Sequence, residues 1–111
     1  MKVAIVGSRD YQHPQKVRDY VAKLPAATIV VTGGARGVDR VAEAAATACG
    51  LQVLIFSADW ARHKKLAGFI RNSKIVDASD RVVAFWDGAS HGTADTVEKA
   101  RIAGKPVEVI R

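Results

Sequence analysis

The chain has 111 residues, 49% hydrophobic and 25% charged. That is an ordinary globular composition, with enough apolar surface to offset ordering entropy and so to exclude disorder. No apolar run approaches the ~20 residues that span a bilayer, and the first apolar stretch stops at Gly7-Ser8, short of a signal peptide, so the expected location is the cytoplasm with no membrane partner. A net charge of +6 favours anionic partners, either a phosphate-bearing small molecule or a nucleic acid.

Lys2 to Val6 reads as a buried strand ending in Gly-Ser. Pro14 opens a helix, as proline does in a first turn; Val17, Tyr20, Val21 and Leu24 follow at helical spacing, and Pro25 ends it. Thr28 to Val31 is a β-branched run halted by Thr32-Gly33-Gly34. Val38, Val41, Ala42, Ala45 and Cys49 mark an amphipathic helix with Gly50 at its C′ position. Gln52 to Phe56 is the third strand. A polar connection runs from Ser57 to Gly68, and a helix covers Ile70 to Ala78. Arg81 to Trp86 is the fourth strand. A helix beginning near Thr93 ends at Gly104-Lys105-Pro106, and Val107 to Ile110 is the last strand.

This alternation predicts one α/β domain over residues 1–111. Strands that are continuous apolar runs are covered on both faces, and right-handed crossovers give a doubly wound, Rossmann-like, five-stranded parallel sheet. Ligands of such sheets bind beyond the carboxyl ends of the strands where the order reverses. If the order is 3-2-1-4-5, that point lies between the first and fourth strands.

The glycines concentrate there. Gly7-Ser8-Arg9-Asp10 follows the first strand. Gly33-Gly34-Ala35-Arg36-Gly37 follows the second and opens a helix. Gly88-Ala89-Ser90-His91-Gly92-Thr93 follows the fourth and opens another. Glycine lets backbone amides approach an oxyanion, and a helix N-terminus adds unpaired N–H donors and partial positive charge. Neither a P-loop nor a G-x-G-x-x-G fingerprint is present. Arg9, Arg36, Arg40 and Arg71 are candidate anion contacts through their guanidinium forks. Asp39 either stabilises its helix's first turn or meets a ribose hydroxyl. Trp60 either stacks on a base or packs over the sheet edge.

Cys49 is the only cysteine, which rules out an internal disulfide, and it falls on an apolar stripe where core packing is expected. His13, His63 and His91 lie far apart with no carboxylate at ligand spacing, so no metal is predicted, nor any cofactor. The positive residues are dispersed, which ranks nucleic acid behind a small molecule as the partner.

Those loops, with Ala58-Asp59-Trp60, Ala67-Gly68, Ile70-Arg71-Asn72 and Ser90-His91-Gly92-Thr93-Ala94-Asp95, resemble the YspA or cpYpsA-related group of the SLOG superfamily. The resemblance runs nearly end to end and implies a Rossmann-like fold and a nucleotide-derived ligand. The superfamily includes Lonely Guy phosphoribohydrolases, DNA-processing-protein-A types that bind single-stranded DNA, and nucleotide sensors. Against the hydrolases, Arg71-Asn72 matches the position of an Arg-Lys pair. Gly92 and Thr93 match a Gly-Gly-x-Gly-Thr-x-x-Glu loop, Ser90 replaces its second glycine, and Thr96 stands at the glutamate. Asp95 is one residue away, a rotation of about 100° on a helix. Against the small-protein pattern, Lys64 and Phe69 stand where small or turn-forming residues are expected, and His91 where arginine is.

The first expectation is therefore binding or sensing of a nucleotide or nucleotide-derived ligand by the three loops, with Asp39, Arg40, Trp60, Arg71 and Asn72. The second is N-glycosidic hydrolysis of a nucleoside 5′-monophosphate, with Arg71 and Asp95 as catalytic residues. The third is single-stranded nucleic-acid binding. Homo-oligomerisation through helices beside the site is implied by the superfamily, with Phe69 and Tyr20 as candidate contacts.

Overall fold

The computed structural model describes residues 1–111. Its strands are β1 (Lys2–Gly7), β2 (Ile29–Thr32), β3 (Gln52–Ile55), β4 (Arg81–Phe85) and β5 (Val107–Ile110). All pairs are parallel, in the order β3-β2-β1-β4-β5. The helices are α1 (Pro14–Ala22), α2 (Val38–Ala48), α3 (Trp60–His63), α4 (Ala67–Ala78) and α5 (His91–Ile102). No helix is long and apolar enough to cross a membrane.

Strand alternation sorts the core into two layers. Val3 and Ile5 of β1 face a cluster with Val17 and Val21 of α1 and Val38, Ala42 and Ala46 of α2. Ala4 and Val6 face the other way, toward Ile75 and Val76 of α4 and Val97 and Ala100 of α5. A central strand must therefore be apolar throughout its buried length, as Val3 to Val6 of β1 are. Phe85, fully buried at the end of β4, is held edge-on by Tyr11 and Tyr20, each with ring centroids 5.8 Å away.

Helices cover both faces of the sheet, as expected, with thinner cover at its two edge strands. Gln52, Ile55, Glu108 and Val109 are exposed, because the helices cross over the centre and leave each edge strand with one neighbour.

Cys49 is also corrected, since it is exposed rather than in the core. α2 stops at Ala48, and Gly50, at φ 74°, turns the chain back. Its amide bonds the Thr47 carbonyl at 3.1 Å while that of Leu51 bonds Ala46 at 2.9 Å, the paired bonds of a Schellman motif. That turn delivers Leu51, not Cys49, to the core.

The connection between β3 and β4 holds more helix than its polarity suggests. The Asp59 carboxylate accepts from the Arg62 amide at 3.1 Å and starts α3. A 3₁₀ turn, Lys64–Leu66, leads directly into α4, three residues earlier than expected. Lys64, where a turn-forming residue was expected, has φ 52°, in the left-handed region that glycine enters most cheaply. α5 likewise begins at His91 rather than near Thr93, with Ser90 as its N-cap.

Candidate functional site

The β1–α1, β2–α2 and β4–α5 loops converge at the carboxyl ends of the strands, where the order reverses between β1 and β4. They enclose a cleft of about 580 Å³, closed on the far side by α3 and α4.

Close packing at glycines lets the loops meet. A Cβ on Gly7 would collide with the Phe85 carbonyl and the Val38 side chain, so β1 and α2 touch there only because it is absent. Gly37, at φ 81°, lies against the backbone of Arg9, which a Cβ would strike. Buried Ser8 ties the first loop to the last. Its amide donates to Phe85 O at 3.1 Å, and its hydroxyl accepts from the Asp87 amide at 3.1 Å.

Asp39, on the first turn of α2, turns back into the β2–α2 loop and is only 6% exposed. Its Oδ2 accepts the amides of Gly33 at 3.1 Å and Ala35 at 3.2 Å. Burial pushes its carboxyl up to about 6, despite those amides and the nearby Arg71 guanidinium, with Glu43 adding a smaller upward push. Arg71, on α4, donates through Nη1 to the Gly33 carbonyl at 2.8 Å and through Nε to Asn72 Oδ1 at 2.9 Å. Burial lowers its pKa, Asp39 opposes that, and the charge of Arg9 lowers it further.

The β4–α5 loop is built around a second carboxylate. Asp87 Oδ1 accepts the amides of Ala89 at 2.8 Å and Ser90 at 3.0 Å, and those bonds hold its pKa below the usual carboxylate value. The Ser90 hydroxyl accepts from the Thr93 amide at 3.4 Å, and its carbonyl accepts from Trp86 Nε1 at 3.0 Å. The amides of His91 and Gly92, at the first two positions of α5, have no intrahelical acceptor. Trp60 stands on the lip, 55% exposed.

Most sequence-predicted residues line this cleft: Gly7, Ser8, Arg9, Asp10, Ala35, Asp39, Trp60, Arg71, Asn72, Ser90, Gly92 and Thr93. Gly33 and Gly37 shape the wall from behind through the contacts above, and Gly34, at φ 69°, packs beside Ile55. Arg36, Arg40 and His91 are exposed and do not line it. Gly88 lies against the Arg111 guanidinium instead. Asp95 is also outside the cleft, with its Oδ2 held by Lys99 Nζ at 2.7 Å and Asn72 Nδ2 at 3.1 Å.

Thr96 does reach the cleft, almost fully buried, with its hydroxyl donating to the Gly92 carbonyl at 3.2 Å. α5 therefore presents the threonines Thr93 and Thr96 and no carboxylate to the cleft. Lys65 and Phe69 line it without having been singled out as ligand residues. The only advance signal for Lys65 was a pair of lysines in a polar connection, and the helical turn that positions it was not legible.

A model of the YspA, cpYpsA-related SLOG family matches residues 1–63. The Gene 61 protein of Mycobacterium phage D29 is 38% identical over 96% of this chain and 93% of its own length. Among solved structures, DNA processing protein A from Streptococcus pneumoniae superposes with a TM-score of 0.86 at 22% identity, over 99% of this chain and 50% of that one. TM1055, a structural-genomics target, gives 0.72 at 22% identity over 96% and 71%. DNA processing protein A from Helicobacter pylori, described for its single-stranded DNA binding mode, gives 0.71 at 24% over 98% and 64%. This chain thus spans about half the length of the pneumococcal protein it matches, and these likenesses establish the fold. The five-stranded Rossmann-like sheet, the match over residues 1–63 and the phage relative together place this chain in the YspA, cpYpsA-related SLOG family.

Proposed function

We propose that the cleft binds a phosphorylated nucleotide unit, with its phosphate toward Arg9, Arg71 and the α5 amides and its base against Trp60. One observation carries this reading. Arg9 and Arg71 both line the cleft, and Arg71 feels the charge of Asp39 more strongly than that of Arg9. Yet the protein's one ion pair, Lys99–Asp95, lies elsewhere. Neither guanidinium is in a salt bridge, and a phosphate can accept from both in fork geometry. The unpaired amides at the start of α5 add donors and positive potential. An exposed indole supplies a stacking face for any base.

The test is thermal unfolding against nucleoside mono-, di- and triphosphates, NAD, ADP-ribose and cyclic nucleotides. A ligand at 100 times its Kd stabilises the native state by about 2.7 kcal/mol, several degrees for a domain of this size. Arg71→Ala is expected to lower affinity for the responding nucleotide by about 10–100-fold, the weight of a charge-assisted hydrogen bond. No shift with any nucleotide would overturn the reading.

A second reading is single-stranded nucleic acid held by the same groups. It is favoured by the fold shared with a DNA processing protein A known for binding single-stranded DNA and by the net charge of +6. It predicts oligonucleotide affinity that falls steeply as salt rises, because counterions are released on binding. Salt-insensitive or absent binding would remove it.

A further inference from the structure

Asp39 carries one acceptor that the fold leaves unused. Both amides that reach its carboxylate end on Oδ2. No protein hydrogen bond ends on Oδ1, although the side chain is more than nine-tenths buried and lines the cleft. Nor is Oδ1 sealed away. The fully buried side-chain atoms without a partner are Tyr11 Oη and Arg81 Nε, so Oδ1 keeps some exposure on a residue that lines the cleft.

The chemistry of that atom limits what can face it. An ionised carboxylate oxygen accepts from O–H or N–H and repels phosphate. A bound nucleotide would then keep its phosphate off Asp39, toward Arg9 and the α5 amides, and turn a donor toward Oδ1. With the base against Trp60, the donors left on the sugar are its hydroxyls.

We infer that Asp39 makes the cleft selective for ribose, its free Oδ1 accepting a 2′ or 3′ hydroxyl while Oδ2 stays bound to the β2–α2 loop. The inference rests on the nucleotide reading and narrows it to ribonucleotides, free or in a chain. It sets this site apart from one tuned to DNA. Arg71 fixes the Gly33 carbonyl beside Asp39 through Nη1, and its remaining donors are open to the rest of the ligand.

The experiment is titration calorimetry at pH 8, where Asp39 is ionised, using the four nucleoside 5′-monophosphates and their 2′-deoxy and 3′-deoxy analogues. The ribose form is expected to bind about 10–100-fold more tightly than at least one deoxy form, as for a hydrogen bond to a charged group. Asp39→Asn, which keeps the volume and an acceptor for the loop, should narrow that ratio. Arg71→Ala should weaken ribose and deoxy forms alike. Equal binding of ribose and both deoxy forms by the unaltered protein would overturn the assignment to Asp39 while leaving the nucleotide reading intact. So would a ratio unchanged in Asp39→Asn. Absence of binding by every nucleotide would overturn the nucleotide reading and this inference with it.

Discussion

Two loops of this protein solve the same problem with opposite electrostatic results. After β2, Asp39 gathers the amides of Gly33 and Ala35, and after β4, Asp87 gathers those of Ala89 and Ser90. Each carboxylate accepts two backbone N–H groups at 2.8–3.2 Å, yet Asp39 is raised to about 6 and Asp87 is lowered. Burial makes the difference. Asp87 keeps its hydration, so the amides simply favour its charged form. Asp39 has lost most of its water, and two amides with a nearby guanidinium do not replace it. The exposed loop is a stable cap beside open α5 amides. The buried loop holds an acid poised near neutrality next to Arg71.

The largest expected effect contrasts one glycine from each loop. Gly37→Ala meets both a left-handed backbone and the Arg9 main chain, and is expected to cost at least about 3 kcal/mol in denaturant unfolding. Gly92 has open space and ordinary helical geometry, so Gly92→Ala should be neutral or stabilise by about 0.5–1 kcal/mol. Equal costs would show that the two loops are not packed differently.

The second contrast is in pH. The carboxyl of Asp39 titrates near 6 in the fold and near 4 unfolded. It therefore contributes stability below about pH 4 that is lost as pH rises through about 6, roughly 3 kcal/mol in all. Asp87 has the opposite sign. Its contribution is present above the ordinary carboxylate range and is lost as pH falls through its lowered value. Unfolding midpoints measured from pH 3 to 8 should show Asp39→Asn flattening the limb between 4 and 7, and Asp87→Asn flattening only the acid limb. If Asp39→Asn left the upper limb unchanged, the proposed role of burial would be wrong.

The smallest effect comes from removing each carboxylate outright. At pH 5, Asp39→Ala strands two amides that water reaches poorly, an expected loss of about 2 kcal/mol. At pH 8 the loss should shrink, because the unaltered protein then carries a buried charge. Asp87→Ala, whose amides water can serve, should lower the midpoint less at both values, and a larger loss for Asp87→Ala would reverse the comparison.

The β-α alternation was legible because its signals are local. The central strands are unbroken apolar runs, the helices repeat at 3.6 residues, and glycine or proline ends most segments. Right-handed crossovers implied a doubly wound sheet, and once the order is 3-2-1-4-5 the position of the cleft follows. The places where reading failed depend on what lies beyond a segment. Cys49 sits on the helical stripe by count, but the Schellman turn at Gly50 put Leu51 in the core. Ile55 and Val109 look like buried strand residues and are exposed because their strands have one neighbour. Trp60 and Lys65 fall in a connection that reads as loop, and the Asp59 cap turned it into helix.

The same division holds at the site. The sequence by itself determined that glycine loops, arginines and an early-turn aspartate would gather at one sheet edge, because strand-to-helix turns of a parallel sheet all end on the same side. Tertiary structure decided which of them face one another. It set Arg9 and Arg71 on one cleft, left Arg36 and Arg40 in solvent, and turned Asp95 to Lys99 and Asn72. It also buried Asp39 with one oxygen spoken for and one open. Spacing along a chain fixes the face of a helix, but only packing between elements sets how much water a charge keeps, and so which groups can bind.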